Sequence, residues 1–381
     1  MLPKGLIKVD SDIMTEIHIA DIHFGNRSTK IEDHYNIMIE QFINPISTIH
    51  FDLLSINGDF FDHKVMAGSD VVMYATMFFD LCVKLCRERN ATLVIMLGTK
   101  EHDADQLKLF YHYLSDPTID LRIIEKAKFE IIKGHRFLYM PEEYSMGEEY
   151  YAKILFQSGW WDTTCLHGTF AGSVYGANST DLNSIRATFE PELFGYCKGP
   201  IICGHIHKAQ CIGGYVYYSG CPIRYKFGEE EPKGFLICLH NYRTREFYVH
   251  FQEIESFRYD TINLDYMLNN DPKEVIAYIK GLKAQGIDNI RVQFSMDAPT
   301  LEVIKNYFAN IPYVKIDTSD IKKKQVEMET NTSIFDDEYA GLEFILDDTL
   351  DKNEILCKYA NILKGFTYIT VDELVELLKE V

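Results

Sequence analysis

The chain has 381 residues, 46% hydrophobic and 25% charged, proportions that exclude a disordered or fibrous protein. Its 38 Lys and Arg stand against 57 Asp and Glu, a formal charge of −19, which excludes a generic basic coat for nucleic acid. No apolar run nears the ~18 residues that span a bilayer, and the first ten residues lack the apolar core of a signal peptide. No membrane partner and a cytoplasmic location are therefore expected. Nine cysteines without a C-x-x-C pair point to a reducing compartment.

Residues 15–20, 53–57, 92–97, 163–166 and 200–203 read as strands, each ending at a polar cluster. Helical periodicity covers 32–49 and 69–89, between the first three strands. The later runs 128–133, 136–139, 215–218, 234–239 and 246–251 lie closer together, as antiparallel strands do. This is a layered α/β pattern over 1–256 whose strand ends carry the polar loops. Residues 257–317 alternate strand, helix, strand, helix and strand, a compact α+β unit of their own. The polar stretch 318–332, with Lys322, Lys323 and Lys324, reads as a linker. Residues 333–381 read as a helical tail whose last helix opens on the capping box Thr370-Val-Asp-Glu373. Its stripe of Val371, Leu374, Val375 and Leu378 packs either on its own domain or on a partner.

The strand ends carry, in order, Asp21 and His23; Asp59, Asp62 and His63 in Gly58-Asp-Phe-Phe-Asp-His63; Glu101, His102 and Asp103; His167; and His205 and His207 in Gly204-His-Ile-His207. One D-x-H at a strand end is commonly a turn with a surface histidine; five such loops in succession form a constellation. In D-x-H and H-x-H, residues i and i+2 of an extended segment share a face and can grip one ion. Mixed carboxylate and imidazole donors suit first-row divalent metals rather than Ca²⁺. A carboxylate following Gly58 can bridge two ions about 3.5–4 Å apart, which clamp a phosphoryl group and ionise water. The glycines before these ligands allow sharp turns at the strand ends. Histidines 34, 50, 112, 135, 240 and 250 have no motif context and read as structural, and His18 reads either as a residue supporting a ligand from behind or as a satisfied core histidine.

The motifs resemble those of the calcineurin-like metallophosphoesterases, which run D-x-H, G-D-x-x-D, G-N-H-[ED], H and G-H-x-H. Ile17-His-Ile-Ala-Asp-Ile-His-Phe-Gly25 is similar to the opening motif of SbcD-type DNA nucleases. Ser219-Gly-Cys-Pro-Ile-Arg-Tyr-Lys-Phe-Gly-Glu229, with Lys233-Gly-Phe235, resembles their S-P-x-R-x-x-F-G-E…K-G-F segment, Cys221 replacing Ser or Thr. The likeness covers about residues 15–251 and is nearest in character to phage-encoded recombination nucleases. It implies a four-layer αββα sandwich, a small DNA-contacting cap over 257–317 and a partner-binding tail over 333–381.

Carried over position by position, the resemblance puts one metal on Asp21, His23, Asp59 and His207, and a second on Asp59, His167 and His205 plus the residue at the family's Asn. His102 takes the place of the histidine that serves the leaving oxygen, with Asp103 behind it as orienting partner. Where the family has G-N-H-D, this chain has Gly98-Thr-Lys-Glu-His-Asp103. Either Glu101 replaces the Asn ligand, or Thr99 faces the metal and Glu101 points away. Asp62, His63 and Arg224 are candidates for substrate contact, and the cofactor implied is a pair of divalent ions, Mn²⁺ foremost.

The implied activity is 3′→5′ exonuclease and single-strand endonuclease. The implied partners are DNA, an SMC-like ATPase of the SbcC type docking on the tail, and a second copy of the chain. Another calcineurin-like phosphatase or cyclic-nucleotide phosphodiesterase is the alternative, and a scaffold without activity is a third. Residues 333–381 hold 12 acidic and 4 basic residues, so much of the net charge lies where a partner rather than DNA is expected.

Overall fold

The computed structural model describes residues 12–103, 105–142, 148–157, 159–174, 188–229, 231–263, 271–293, 299–309, 311 and 313–317. The expected linker and helical tail, 318–381, lie outside the described residues. Two units are distinguished: residues 1–261 with 280–290, and residues 262–279 with 291–381.

The first unit opens with β1 (Ile13–Ile19) and α1 (Ile31–Met38), which continues through a π turn (Ile39–Ile43) into α2 (Asn44–Ile46). Next come β2 (Leu53–Asn57), α3 (Asp70–Arg89), β3 (Thr92–Met96), the one-turn α4 (Lys100–Asp103) and a 3-10 stretch (Gln106–Ser115). β4 (Asp120–Ile124), β5 (Lys128–Ile132), β6 (His135–Met140), α5 (Glu148–Gln157) and β7 (Thr163–His167) follow. After the two-residue strands β8 (Thr169–Phe170) and β9 (Thr188–Phe189) come β10 (Ile201–Gly204), β11 (Gln210–Ile212) and β12 (Val216–Tyr218). The long hairpin of β13 (Lys233–Asn241) and β14 (Glu246–Ile254) is next.

α3 shows how the sequence writes these elements. Ser69 caps its start, accepting from the Val72 amide at 3.4 Å, and Asp70 favours the positive end of the helix dipole. Asn90 ends it in the left-handed conformation, φ 52°. Ala75, Phe78, Phe79, Cys82 and Cys86 form the buried face, so these two cysteines are packing residues with free thiols.

Two six-stranded mixed sheets carry the unit, in the orders β14-β13-β1-β2-β3-β4 and β11-β12-β10-β7-β6-β5. In each, four neighbouring strands run parallel, β1 to β4 in one and β12, β10, β7 and β6 in the other. Antiparallel strands border them: the β13–β14 hairpin on one sheet, β5 and β11 on the two edges of the other. A core cluster drawn from both sheets, Leu53, Val94 and Met96 with Phe137, Tyr139 and Cys165, shows that they pack face to face. The opposite face of the first sheet buries Phe42, Phe78 and Phe79 from the helices, and that of the second buries Tyr151 and Leu155 of α5. The architecture is a layered mixed α/β one, with β1, β2, β3, β6, β7 and β10 all presenting their C-terminal ends to loops.

β15 (Tyr259–Asn263), α6 (Pro272–Ala284), β16 (Asn289–Gln293), α7 (Pro299–Phe308) and β17 (Val314–Asp317) follow, and their strands pair in the order β15-β16-β17. Among the described residues of the second unit, Val275, Ile279, Val292, Ile304 and Phe308 are buried. No helix among the described residues is long and apolar enough to cross a membrane.

Candidate metal centre

The parallel strands deliver their loops to one place. The segments after β1 and β2 are zipped together by Asp21 N–H to Gly58 O at 3.0 Å and His23 N–H to Asp59 O at 3.0 Å. Asp21, His23, Asp59 and His205 all adopt positive φ, at 54°, 52°, 52° and 91°. This amends the expectation of an extended D-x-H: β1 has ended at Ile19, and left-handed turns, not a strand face, aim Asp21 and His23 at a common point. Strained backbone of this kind persists only where the surroundings enforce it, and it concentrates at functional sites.

Three overlapping groups result, each with ligand atoms within 4.8 Å of one another: Asp21, His23 and His207; His23, Asp59 and His102; and Asp21, Asp59 and His167. His23 Nε2 and His207 Nε2 face each other at 3.0 Å. The His205 amide donates to both oxygens of Asp21 at 3.0 Å. His167 is held most firmly. Its Nδ1 lies 2.8 Å from the Asn57 carbonyl, which only accepts, so Nδ1 carries the proton and Nε2 turns to Asp59 Oδ2 at 3.3 Å. A Cβ on Gly58 would lie 2.2 Å from His167 Nδ1, and one on Gly204 would lie 2.8 Å from it. Only glycines let the ring fit between these strand ends.

Two of these nitrogens, His23 Nδ1 and His167 Nε2, are buried with no hydrogen-bond partner. Burial opposes protonation of His167, yet the Asp59, Asp21 and Glu142 carboxylates hold its pKa up at about 10. A potential that binds a proton so firmly binds a divalent cation as well, and the donor set fits such an ion. Burial raises the Asp21 pKa; for Asp59 burial acts the same way, but the charges of His167, His23 and His102 together outweigh it and lower the pKa.

A fourth group contains a residue absent from the sequence expectations: Glu142, with His167 and His205. Glu142 follows Pro141 beyond the C-terminal end of β6, and its side chain is only 5% exposed. Its Oε2 is 3.8 Å from His167 Nε2, 3.7 Å from His205 Nδ1 and 2.9 Å from Thr99 Oγ1. It too is a polar side chain just past a parallel strand, but the parallel pairing of β6 with β7 is visible only in the structure.

Several expected roles are corrected. Glu101 is exposed and joins none of these groups, whereas Thr99 faces the site, its amide donating to Asp59 Oδ1 at 2.5 Å. Asp103 does not stand behind His102. Its carboxylate turns the other way, accepting from Phe61 N at 3.0 Å and Gly98 N at 2.9 Å, and so fastens the loop after β3 to that after β2. Burial, reinforced by the Asp59 charge, pushes its pKa up to about 7 against those two donors. The Asp62 backbone carbonyl instead accepts from His102 Nδ1, leaving His102 Nε2 4.0 Å from Asp59 Oδ2.

The Asp62 carboxylate accepts from Asn26 at 2.9 Å and lies 3.7 Å from His23 Nδ1, behind a ligand candidate rather than towards substrate. His63 sits beside it, Nδ1 3.1 Å from Asp62 Oδ2, and is partly exposed. Arg224 spends its guanidinium on backbone carbonyls of Glu229, Phe257 and Glu231 at 2.8–3.2 Å, so it staples its own loop and contacts no ligand candidate.

A further group, His207, Cys221 and Glu229, also has cation-binding spacing. Lys233, with its side chain fully buried, already fills that role, 3.3 Å from Glu229 and 3.1 Å from Cys221 Sγ. Glu229 Oε1 lies 3.7 Å from His207 Nδ1, behind the ring nitrogen that faces away from His23. A carboxylate there fixes which nitrogen is free to ligate.

No family model matches the chain. "Putative phosphoesterase 244L" of Invertebrate iridescent virus 6 is 25% identical over 231 residues, spanning 59% of this chain and 76% of that protein. A solved structure at 12% identity covers 63% of this chain and 100% of its own, with a TM-score of 0.36. The protein of unknown function AQ665 from Aquifex aeolicus, 17% identical, covers 48% of this chain and 94% of its own, with a TM-score of 0.22. The sequence likeness is thus to a phosphoesterase, and the site it accompanies is a cluster of His, Asp and Glu able to hold metal.

Proposed function

We propose that the chain is a metal-dependent phosphodiesterase acting on DNA, the nuclease subunit of an SbcCD-type recombination or double-strand-break processing complex. The observation that carries this reading is Asp59, a buried carboxylate shared by the group around His23 and the group around His167. Such a carboxylate can bridge two divalent ions at the spacing of about 3.5–4 Å that clamps a phosphoryl group. Asp21, His23, Asp59 and His207 would hold the first ion, and Asp59, His167 and His205 the second, with Mn²⁺ suited to these donors. The chemistry such ions supply is neutralisation of phosphate charge and acidification of water.

The protein's own groups do the positioning and the proton transfer. With His102 Nδ1 committed to the Asp62 carbonyl, Nε2 is the atom that exchanges a proton with the leaving oxygen. Arg27, Lys30, Lys64, Lys100, Lys208 and Lys226 lie on the segments that follow β1, β2, β3, β10 and β12, which favours a polyanionic substrate. The viral phosphoesterase supports phosphoester hydrolysis. The face-to-face sheets with helices outside them support a four-layer αββα sandwich. The Ser219–Phe235 resemblance favours the nuclease branch over a phosphatase or cyclic-nucleotide phosphodiesterase. With that branch come 3′→5′ exonuclease and single-strand endonuclease activity, a homodimer, an SMC-like ATPase on residues 333–381, and a cytoplasmic setting.

The test is degradation of linear duplex DNA by the purified chain with Mn²⁺, alone and with its ATPase. The wild type is expected to release nucleotides, and His102→Ala to lose at least about 100-fold in rate, the scale of a lost general acid. Turnover of a phosphomonoester with intact DNA under both conditions would overturn the reading.

A further inference from the structure

The second ion's proposed donors, Asp59, His167 and His205, leave one protein position to fill, and the loop after β3 offers only a hydroxyl there. Thr99 Oγ1 lies 3.2 Å from Asp59 Oδ2 and 2.9 Å from Glu142 Oε2. Its single proton serves one carboxylate at a time. Glu101, the nearest carboxylate in sequence, is exposed. Glu142 is not: it enters from β6, in the sheet that also carries His167 and His205, and its Oε2 lies within 3.8 Å of a ring nitrogen of each.

We propose that Glu142 is a ligand of the second ion, supplying from another strand a carboxylate where an amide would be expected on the β3 loop. This deepens the two-ion reading above and rests on it. Three buried carboxylates, Asp21, Asp59 and Glu142, then face four positive charges on two ions. Burial of that much negative charge is tolerable only beside cations. The extra carboxylate holds the second ion tightly. It also leaves the pair less electrophilic than an amide would, so Glu142 trades attraction for phosphate against retention of metal.

The test needs no substrate. Metal-stripped protein is titrated with Mn²⁺ by calorimetry, and the bound Mn²⁺ is followed by electron paramagnetic resonance. Wild type is expected to bind two ions and show a spin-coupled pair. Glu142→Gln, which keeps the size and removes the charge, should bind the first ion as wild type does. Its second ion should bind at least about 10-fold more weakly, the lower bound seen when even a hydrogen-bond partner of a ligand is lost. At equal loading the coupled spectrum should give way to that of isolated Mn²⁺. Glu101→Ala should behave as wild type in both measurements.

Should Glu142→Gln not fold, Glu142→Asp replaces it, drawing the oxygens back by one methylene while keeping the charge. Two ions bound with wild-type affinity by whichever of these variants folds would overturn the proposal. So would a loss of the second ion in Glu101→Ala. Because the readout is metal alone, a chain that binds two ions through Glu142 yet leaves DNA intact would refute the nuclease reading and not this one.

Discussion

Side chains near the centre divide by what their polar atoms already hold. Asp103 and Arg224 look reactive in sequence, yet both are consumed by the backbone, one on amides and the other on carbonyls. No reading of residue type or spacing distinguishes such a staple from a functional group, because the partners are main-chain atoms that every sequence contains. Asp21, His23, His205 and His207 were legible because each pair sits two apart beside a strand end. Glu142 was not, because a lone Pro-Glu carries no partner in sequence and its burial arises only from tertiary packing. His34 shows a histidine of the opposite kind: buried, stacked on Phe24 with ring centroids 4.7 Å apart, its Nε2 without a hydrogen bond. Burial alone lowers its pKa from 6.5 to about 3. The folded chain therefore refuses a proton that the unfolded chain accepts below about pH 6.5, so stability present above that pH is lost as the pH falls toward 3, at up to about 1.4 kcal/mol per unit. His34→Phe should remove this loss. In urea unfolding with chelator, its stability relative to wild type should rise steadily from about pH 6.5 to about pH 4.5; a constant difference would refute it.

Elements place the chemistry through one recurring device, the C-terminal end of a parallel strand. β1, β2, β3, β7 and β10 could be read from their apolar runs, and their polar ends with them. β4 escapes that reading because only Leu121 and Ile124 of its five residues are buried, so it lacks a continuous apolar run. The parallel order of β12, β10, β7 and β6 is equally silent in sequence, since a short strand shows no direction of pairing. The device depends on close approach at Gly58, whose φ of +93° and 2.2 Å Cβ distance to His167 leave no room for a side chain. Gly58→Ala should cost about 1–3 kcal/mol from backbone strain alone, read as a lower urea midpoint. It should also weaken Mn²⁺ binding, the second ion most, since the displaced ring is that of His167.

At the scale of the molecule, the charge of −19 is unevenly placed. Along the sequence, residues 333–381 carry 12 acidic against 4 basic residues, and the basic residues beside the ligand loops work against the net charge locally. Three carboxylates buried together set a cost on the metal-free fold that bound cations offset. Mn²⁺ at about 100 times its dissociation constant should therefore stabilise the chain by about 2.7 kcal/mol per site. That gain should appear as a rise in melting temperature that saturates with Mn²⁺, is reversed by chelator and is reduced in Glu142→Gln. A melting temperature indifferent to Mn²⁺ would refute a buried ion site.

The bond from the His205 amide to Asp21 joins residues 184 positions apart, and Asp59 meets groups carried by both sheets. Neither half of the centre is complete until the two sheets have closed on one another, which requires the closure of a long loop. A chain not yet folded thus carries the ligand candidates without the site they form. The metal-binding geometry therefore appears only with the completed fold.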